Sequence, residues 1–218
     1  TPELSLTGYP PQDLLLRKDF IKKIEKYKKK LINLTKKRET IFSLSVPVYQ
    51  DGQLVNSLLL IKSGKILYTY EKMNLPNYGV FDEKRYFNSK GKKKALDFKK
   101  NKIDFLICED MWSEDFENYS SKHSLDFIII INASPFEFGK FDLRKKLAFK
   151  RAKYFNAKLI YVNLVGAQDD LVFDGGSFVM EKNGKIISQL PFFKESDQVI
   201  DIQQIKKKKY TKENNLSL

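Results

Sequence analysis

Apolar positions along the chain follow two rhythms. Between residues 18 and 34, Phe20, Ile24, Tyr27, Leu31 and Leu34 recur three or four apart with lysines between them. That spacing predicts a helix with one buried face. Farther on the rhythm changes to dense β-branched and aromatic runs at 41–49, 54–61 and 66–70, broken by Asp51-Gly52 and by Gly64. Such breaks favour tight turns, so this stretch reads as an antiparallel meander. Before the helix, residues 1–12 read as the end of a strand running into the turn Gly8-Tyr9-Pro10-Pro11.

The second half alternates between the two rhythms. After an irregular segment at 72–94, residues 103–108 read as a short buried strand, and a polar helical stretch is expected from Trp112. A fully apolar strand at 127–132 leads into Ala133-Ser134-Pro135. A helix at 143–155 follows, with Leu147, Ala148 and Ala152 facing inward, then a buried strand at 159–164. Residues 177–180 and 186–190 form a hairpin around Asn183-Gly184. Strands alternating with helices and joined to hairpins predict a mixed sheet with helices outside, and a second sheet is the natural cover for its inner face. Residues 1–204 are expected to form one domain, and 205–218 a charged tail or the start of a linker.

Composition narrows the possibilities. With 218 residues, 42% hydrophobic and 31% charged, the chain can bury a core of its own. Its longest apolar run, in LDFIIIIN, is too short for a membrane-spanning helix. No basic and apolar leader opens the chain, so a cytoplasmic location without membrane association is expected. One cysteine and one histidine exclude an intrachain disulfide and leave too few ligands for a Cys/His zinc site, so no metal is expected. His123, in the polar stretch NYSSKHS, reads as a solvated loop or helix-end residue.

The net charge of +13 raises the question of nucleic acid. Only five of the forty basic residues are Arg, the side chain suited to bidentate phosphate contacts. The lysines lie dispersed in KKIEKYKKK, KGKKK and IKKKKY, as solvated faces do. No nucleic-acid partner is expected.

Candidate chemistry centres on Cys108. It ends an apolar strand and is followed at once by Glu109-Asp110-Met111-Trp112. A nucleophile on a sharp strand-to-helix turn faces a pocket and aligns backbone N–H groups for an oxyanion. A lone cysteine is nevertheless more often a small buried hydrophobe. Glu3, where strand meets turn, could serve as a general base. Lys72, one lysine among thirty-five, says little by itself.

Three segments together say more. PELSLTGYPPQDLL, EKMNLPNYGVFDEKRYF and ICEDMW resemble, in this order, the nitrilase superfamily, whose triad is Glu, Lys and Cys. The resemblance is closest to the glutaminase domain of glutamine-dependent NAD+ synthetases, through LTGYPPQDLLLR, KMNLPNYGVFDEKRYF and QDDLVFDGGSFV, with INASPFEFGK and VNLVGAQDD as further anchors. It extends from Thr1 to about Leu190. It implies an α/β fold, the nitrilase-like α-β-β-α sandwich of two mixed sheets with outer helices.

The same resemblance implies roles. Glu3 is the general base and acid, Lys72 stabilises the oxyanion, and Cys108 attacks the side-chain amide of L-glutamine. A cation beside Cys108 is expected to favour its thiolate. Glu83 is a possible second carboxylate, an exposed charge in DEKR being the equal alternative. Tyr78, Glu109, Ser134 and Lys140 are implied substrate contacts, Tyr9 lines the pocket or the ammonia exit, and Asp174-Gly175-Gly176 turn tightly nearby.

Against the family pattern, an N-terminal strand and helix are missing, which predicts an N-terminally truncated fold with an exposed sheet edge. The S-G-G-x-D-S loop of a synthetase domain is also missing, since Gly175-Gly176-Ser177 continues into Phe-Val. A C-terminal synthetase domain of the same polypeptide is the expected partner, carrying ATP and Mg2+, with no cofactor in this domain; a homo-oligomer is expected as well. A free-standing amidase for another small amide, or a catalytically inactive basic scaffold, stays compatible with the residues.

Overall fold

In the computed structural model, residues 1–89, 95–98, 100–113 and 125–201 are described. His123 and residues 205–218, on which two of the expectations fall, lie outside them. Asp51-Gly52 and Ser63-Gly64 do turn the chain, and β1 (Phe42–Gln50), β2 (Gln53–Lys62) and β3 (Lys65–Glu71) form a three-stranded antiparallel sheet. β4 (Leu96–Phe98), β5 (Asn101–Ile107), β6 (Phe127–Asn132), β7 (Lys158–Asn163), β10 (Phe178–Met180) and β11 (Ile186–Gln189) form a six-stranded sheet in the order β11-β10-β7-β6-β5-β4. Its centre is parallel, β5 to β6 to β7, and its flanks are antiparallel. The three-stranded sheet is wholly antiparallel rather than mixed. The pair β8 (Val165–Gln168) and β9 (Leu171–Asp174) stands apart.

Period-two alternation sorts side chains into layers. Leu58, Leu60 and Tyr70 from one sheet meet Phe105, Ile107 and Ile131 from the other. Their neighbours Leu59 and Ile61 point the opposite way, to Ile24 of α1 (Lys18–Leu34). Leu106, Ile128 and Ile130 likewise turn outward to Ala148, Ala152 and Phe155 of α3 (Lys140–Phe155). Helix, sheet, sheet and helix therefore stack in four layers. No helix among the described residues is long and apolar enough to cross a membrane.

Several local expectations are corrected. Residues 1–12 hold no strand. The N–H groups of Thr7 and Gly8 both return to Leu4 O, at 3.0 and 2.9 Å, and Leu4 takes a φ of 46°. Leu4 is fully buried, so the apolar alternation there marks an anchor rather than a pleat. On α1 the buried face is carried by Phe20, Ile21, Ile24, Leu31 and Ile32, while Tyr27 and Leu34 are 48% and 65% exposed. Burying Ile24 contributes about 2 kcal/mol. The polar helical stretch expected from Trp112 falls on residues outside those described; the four-residue α2 (Glu109–Trp112) directly follows Cys108. β4, β8 and β9 were not anticipated, being too short to set up a rhythm.

Candidate active site

Cys108 sits at the bend between β5 and α2 with φ 43° and ψ −95°. Side chains rarely adopt this backbone, and holding it costs on the order of 1–3 kcal/mol. The bend is fixed from both directions. Its N–H donates to Ile131 O at 2.9 Å, and its carbonyl accepts from Met111 N at 2.9 Å. The strain turns the thiol into the pocket at a strand end, as expected of a nucleophile position.

Lys72 follows the last residue of β3, and its N–H donates to Asn56 O at 2.8 Å. Its ammonium donates to Glu3 Oε1 at 2.7 Å and to Glu83 Oε1 at 2.6 Å. Glu3 is fully buried and accepts further bonds from Asn56 Nδ2 (2.8 Å) and Ala133 N (3.1 Å). Tyr9 OH donates to Glu83 Oε1 at 2.7 Å. Glu83 is thus a member of the buried cluster and not an exposed charge.

The electrostatics follow from two carboxylates sharing one ammonium. Burial by itself would lower the Lys72 ammonium, but Glu3 and Glu83 hold it well above the usual lysine value. Burial pushes Glu83 up to about 7; Lys72 opposes this and Glu3 adds to it. Its Oε1 receives both donors while Oε2 has none among the described residues, so Oε2 is the oxygen open to a proton. The Cys108 thiol was expected to be a thiolate beside a cation. Instead burial and the Glu3 carboxylate raise it well above the ordinary range, outweighing Lys72. The resting thiol is therefore neutral.

In front of Cys108 opens a cleft of about 390 Å³, the size of a small-ligand site. Tyr78, Glu109, Ser134 and Lys140 all line it, with Phe81, Trp112, Pro135, Phe138 and Leu143 as apolar wall. Tyr78 OH donates to both Glu109 oxygens, at 3.2 and 3.0 Å. Lys140 Nζ lies 3.2 Å from Glu137 Oε2. Tyr9 does not line the cleft but a second cavity of about 270 Å³, together with Glu83 and Phe81. Phe81 lines both spaces, and its ring centroid lies 6.3 Å from that of Tyr9.

Sequence reasoning missed the residues that hold this arrangement from behind. Asn56 and Ser57 interrupt an otherwise apolar strand, a legible signal. Arg144, in the surface-like run RKK, is fully buried. It donates to Asp174 at 2.7 and 2.9 Å and to Ser134 O, Pro135 O and Ser134 Oγ, bracing the loop that lines the cleft. Gly175 and Gly176 do turn tightly, at φ 67° and 63°, and a Cβ on Gly176 would lie 2.2 Å from the Phe192 ring. Their N–H groups bond Leu164 O and Pro191 O, so this turn does not fit a nucleotide phosphate.

Comparison with known proteins places these features in a group. The profile of the carbon-nitrogen hydrolase family matches residues 1–210. The glutamine-dependent NAD(+) synthetase of Acinetobacter baylyi is 41% identical over 194 residues, 89% of this chain and 36% of that protein. Its counterpart in Aquifex aeolicus is 38% identical, over 95% of this chain and 37% of its own length. The chain thus spans little more than a third of these curated relatives. Among solved structures, the Acinetobacter baumannii glutamine-dependent NAD+ synthetase superimposes with a TM-score of 0.81 at 41% identity, covering 89% of this chain and 37% of that one. A nitrilase-superfamily amidase from Nesterenkonia, at 23% identity and TM-score 0.75, covers 88% of this chain and 72% of its own and shares the fold.

Proposed function

The chain belongs to the carbon-nitrogen hydrolase family, and from that premise we propose that it hydrolyses the side-chain amide of glutamine, releasing ammonia for NAD+ synthesis. The observation that carries this reading is the buried Glu3–Lys72–Glu83 cluster beside a strained Cys108 that lines a ligand-sized cleft. In this reading Glu3 is catalytic base and acid, Lys72 the oxyanion stabiliser and Cys108 the nucleophile. Relatives named as glutamine-dependent NAD(+) synthetases support the substrate.

Because the resting thiol is neutral, attack and proton removal go together. Glu3 takes the Sγ proton as sulfur adds to the amide carbon. The resulting oxyanion is met by the Lys72 ammonium and the backbone N–H of Glu109. Glu3 passes its proton to the amide nitrogen, the C–N bond breaks, and ammonia leaves a thioester. Glu3 then takes a proton from water, hydroxide adds to the thioester carbon, and the collapse releases glutamate while the proton returns to sulfur. Glu83, titrating near 7, can hold a proton and so limit the negative charge that the cluster places on one lysine.

Tyr78, Glu109, Ser134 and Lys140 are assigned to the amino-acid end of glutamine, and the cavity lined by Tyr9 and Phe81 to ammonia exit. ATP and Mg2+ would act in a synthetase domain of the same polypeptide, in the cytoplasm, and no step above runs through them. Ammonia release from glutamine and from butyramide tests the proposal. Unpaired polar groups in the site cost roughly 1–3 kcal/mol each, so butyramide should be far the poorer substrate. Equal use of the two amides would assign the site to a general amidase and remove the link to NAD+.

A further inference from the structure

Asp110, two residues beyond Cys108, is buried without a basic side chain bonded to it among the described residues. Five donors converge on it instead. Oδ1 accepts from Met73 N at 3.1 Å, Asn74 N at 2.7 Å and Asn74 Nδ2 at 3.1 Å. Oδ2 accepts from Ile107 N at 3.1 Å and Tyr70 OH at 2.8 Å. Ile107 precedes the Cys108 bend on β5, Tyr70 lies on β3, and Met73 and Asn74 directly follow Lys72.

This placement solves a specific problem. β3 ends at Glu71, so sheet pairing no longer fixes the chain where the ammonium must be aimed. Lys72 itself is held through its N–H to Asn56 O. The next two N–H groups, on the part-buried Met73 and Asn74, both take the Asp110 carboxylate as their acceptor, and backbone donors shielded from water need such partners. One carboxylate therefore anchors the chain past Lys72 and the strand end before Cys108 at once. Bonds to an ionised acceptor are the shorter and stronger kind.

We propose that Asp110 is a positioning residue whose carboxylate sets the Lys72 ammonium against the Cys108 sulfur across the two sheets. The inference rests on the reading that Lys72 and Cys108 act together. It does not depend on which amide is the substrate.

The test uses Cys108 as its own reporter, since the chain has no other cysteine. Alkylation by iodoacetamide is followed against pH in the unsubstituted chain, in Asp110→Asn, in Lys72→Ala and in the double variant. Losing the nearby ammonium raises the thiol titration, and one unit corresponds to about a tenfold slower reaction at fixed pH. Asp110→Asn and Lys72→Ala should each shift the profile upward by about that amount, and the double variant should go no further than Lys72→Ala. Groups acting through one interaction are non-additive in this way. An equal effect of Asp110→Asn with and without Lys72 would show general structural support and overturn the proposal.

Should Asp110→Asn fail to fold, Asn74→Ala removes one of the five bonds and runs through the same cycle. It should give a smaller shift in the same direction that also vanishes in the Lys72→Ala background; a shift that persists there overturns the proposal. Glutamine hydrolysis in the same samples separates the two ideas. A saturating cycle in a chain inert to glutamine supports the positioning role and removes the substrate reading. An additive cycle in a chain that hydrolyses glutamine does the reverse.

Discussion

Glu3 and Lys72, 69 residues apart in the chain, form a 2.7 Å ion pair in which neither side chain is exposed. An ion pair taken out of water gains little net stability, and removing one partner strands the other. Here a second carboxylate, Glu83, lies on the same ammonium at 2.6 Å. Deleting Lys72 would bring two buried carboxylates together with no cation between them. The cluster is thus a poor source of stability and a well-defined place to hold a proton.

Glu83→Gln should change how stability depends on pH. Unfolded, Glu83 titrates near 4.5; buried, it keeps its proton up to about 7. The folded state binds that proton more tightly, so the contribution is complete below about 4.5 and is lost as pH rises through about 7. Melting temperature measured across that window should fall less steeply in Glu83→Gln than in the unsubstituted chain. Identical slopes would count against a protonated Glu83.

Cys108→Ala should abolish ammonia release, because removing a nucleophile costs orders of magnitude. Retention of more than about a tenth of the activity would sink the assignment. Cys108→Gly should be equally inactive but more stable than Cys108→Ala by about 1 kcal/mol, since glycine accepts a φ of 43° at little cost. Denaturant melts of the two variants measure the difference.

Arg144→Ala should destabilise the fold by about 3–5 kcal/mol, the cost of stranding one partner of a buried ion pair. It would leave Asp174, 4% exposed in its side chain, without its cation and free the carbonyls of Ser134 and Pro135. A loss below about 1 kcal/mol in urea melts would mean that the loop is held by other contacts.

Lys140→Ala should raise KM for glutamine while leaving the alkylation rate of Cys108 within about twofold. Lys140 lines the cleft but contacts neither Glu3, Lys72 nor Glu83 in the ion-pair network. Removal of a binding contact alone leaves the chemical step intact. A fall in kcat at unchanged KM would place Lys140 in the chemistry instead.

Much of this was legible in the residues. The helix of 18–34, the meander and the apolar strands at 103–108, 127–132 and 159–164 declare themselves by period, because each buries one or both faces. The cluster of Glu3, Lys72 and Cys108 was legible only through the order of its motifs, since neither lysine nor glutamate betrays burial by type. Charge concealed the rest: Arg144 and Asp110 stand in polar runs and are buried by partners far away in sequence. Neutrality of the Cys108 thiol was hidden for a related reason. It depends on how much water the fold removes, and no neighbour in the sequence reports that.

Stacking two sheets face to face gives this protein a natural order of events. Lys72 leaves one sheet and Cys108 leaves the other, and Glu3 reaches Ala133 across 130 residues of chain. Contacts so remote form late, since closing long loops precedes any reward from them. In refolding, circular dichroism should therefore recover before amide cleavage does. A partly folded chain would display its helices while unable to form a thioester, so hydrolysis begins only when the interior has closed.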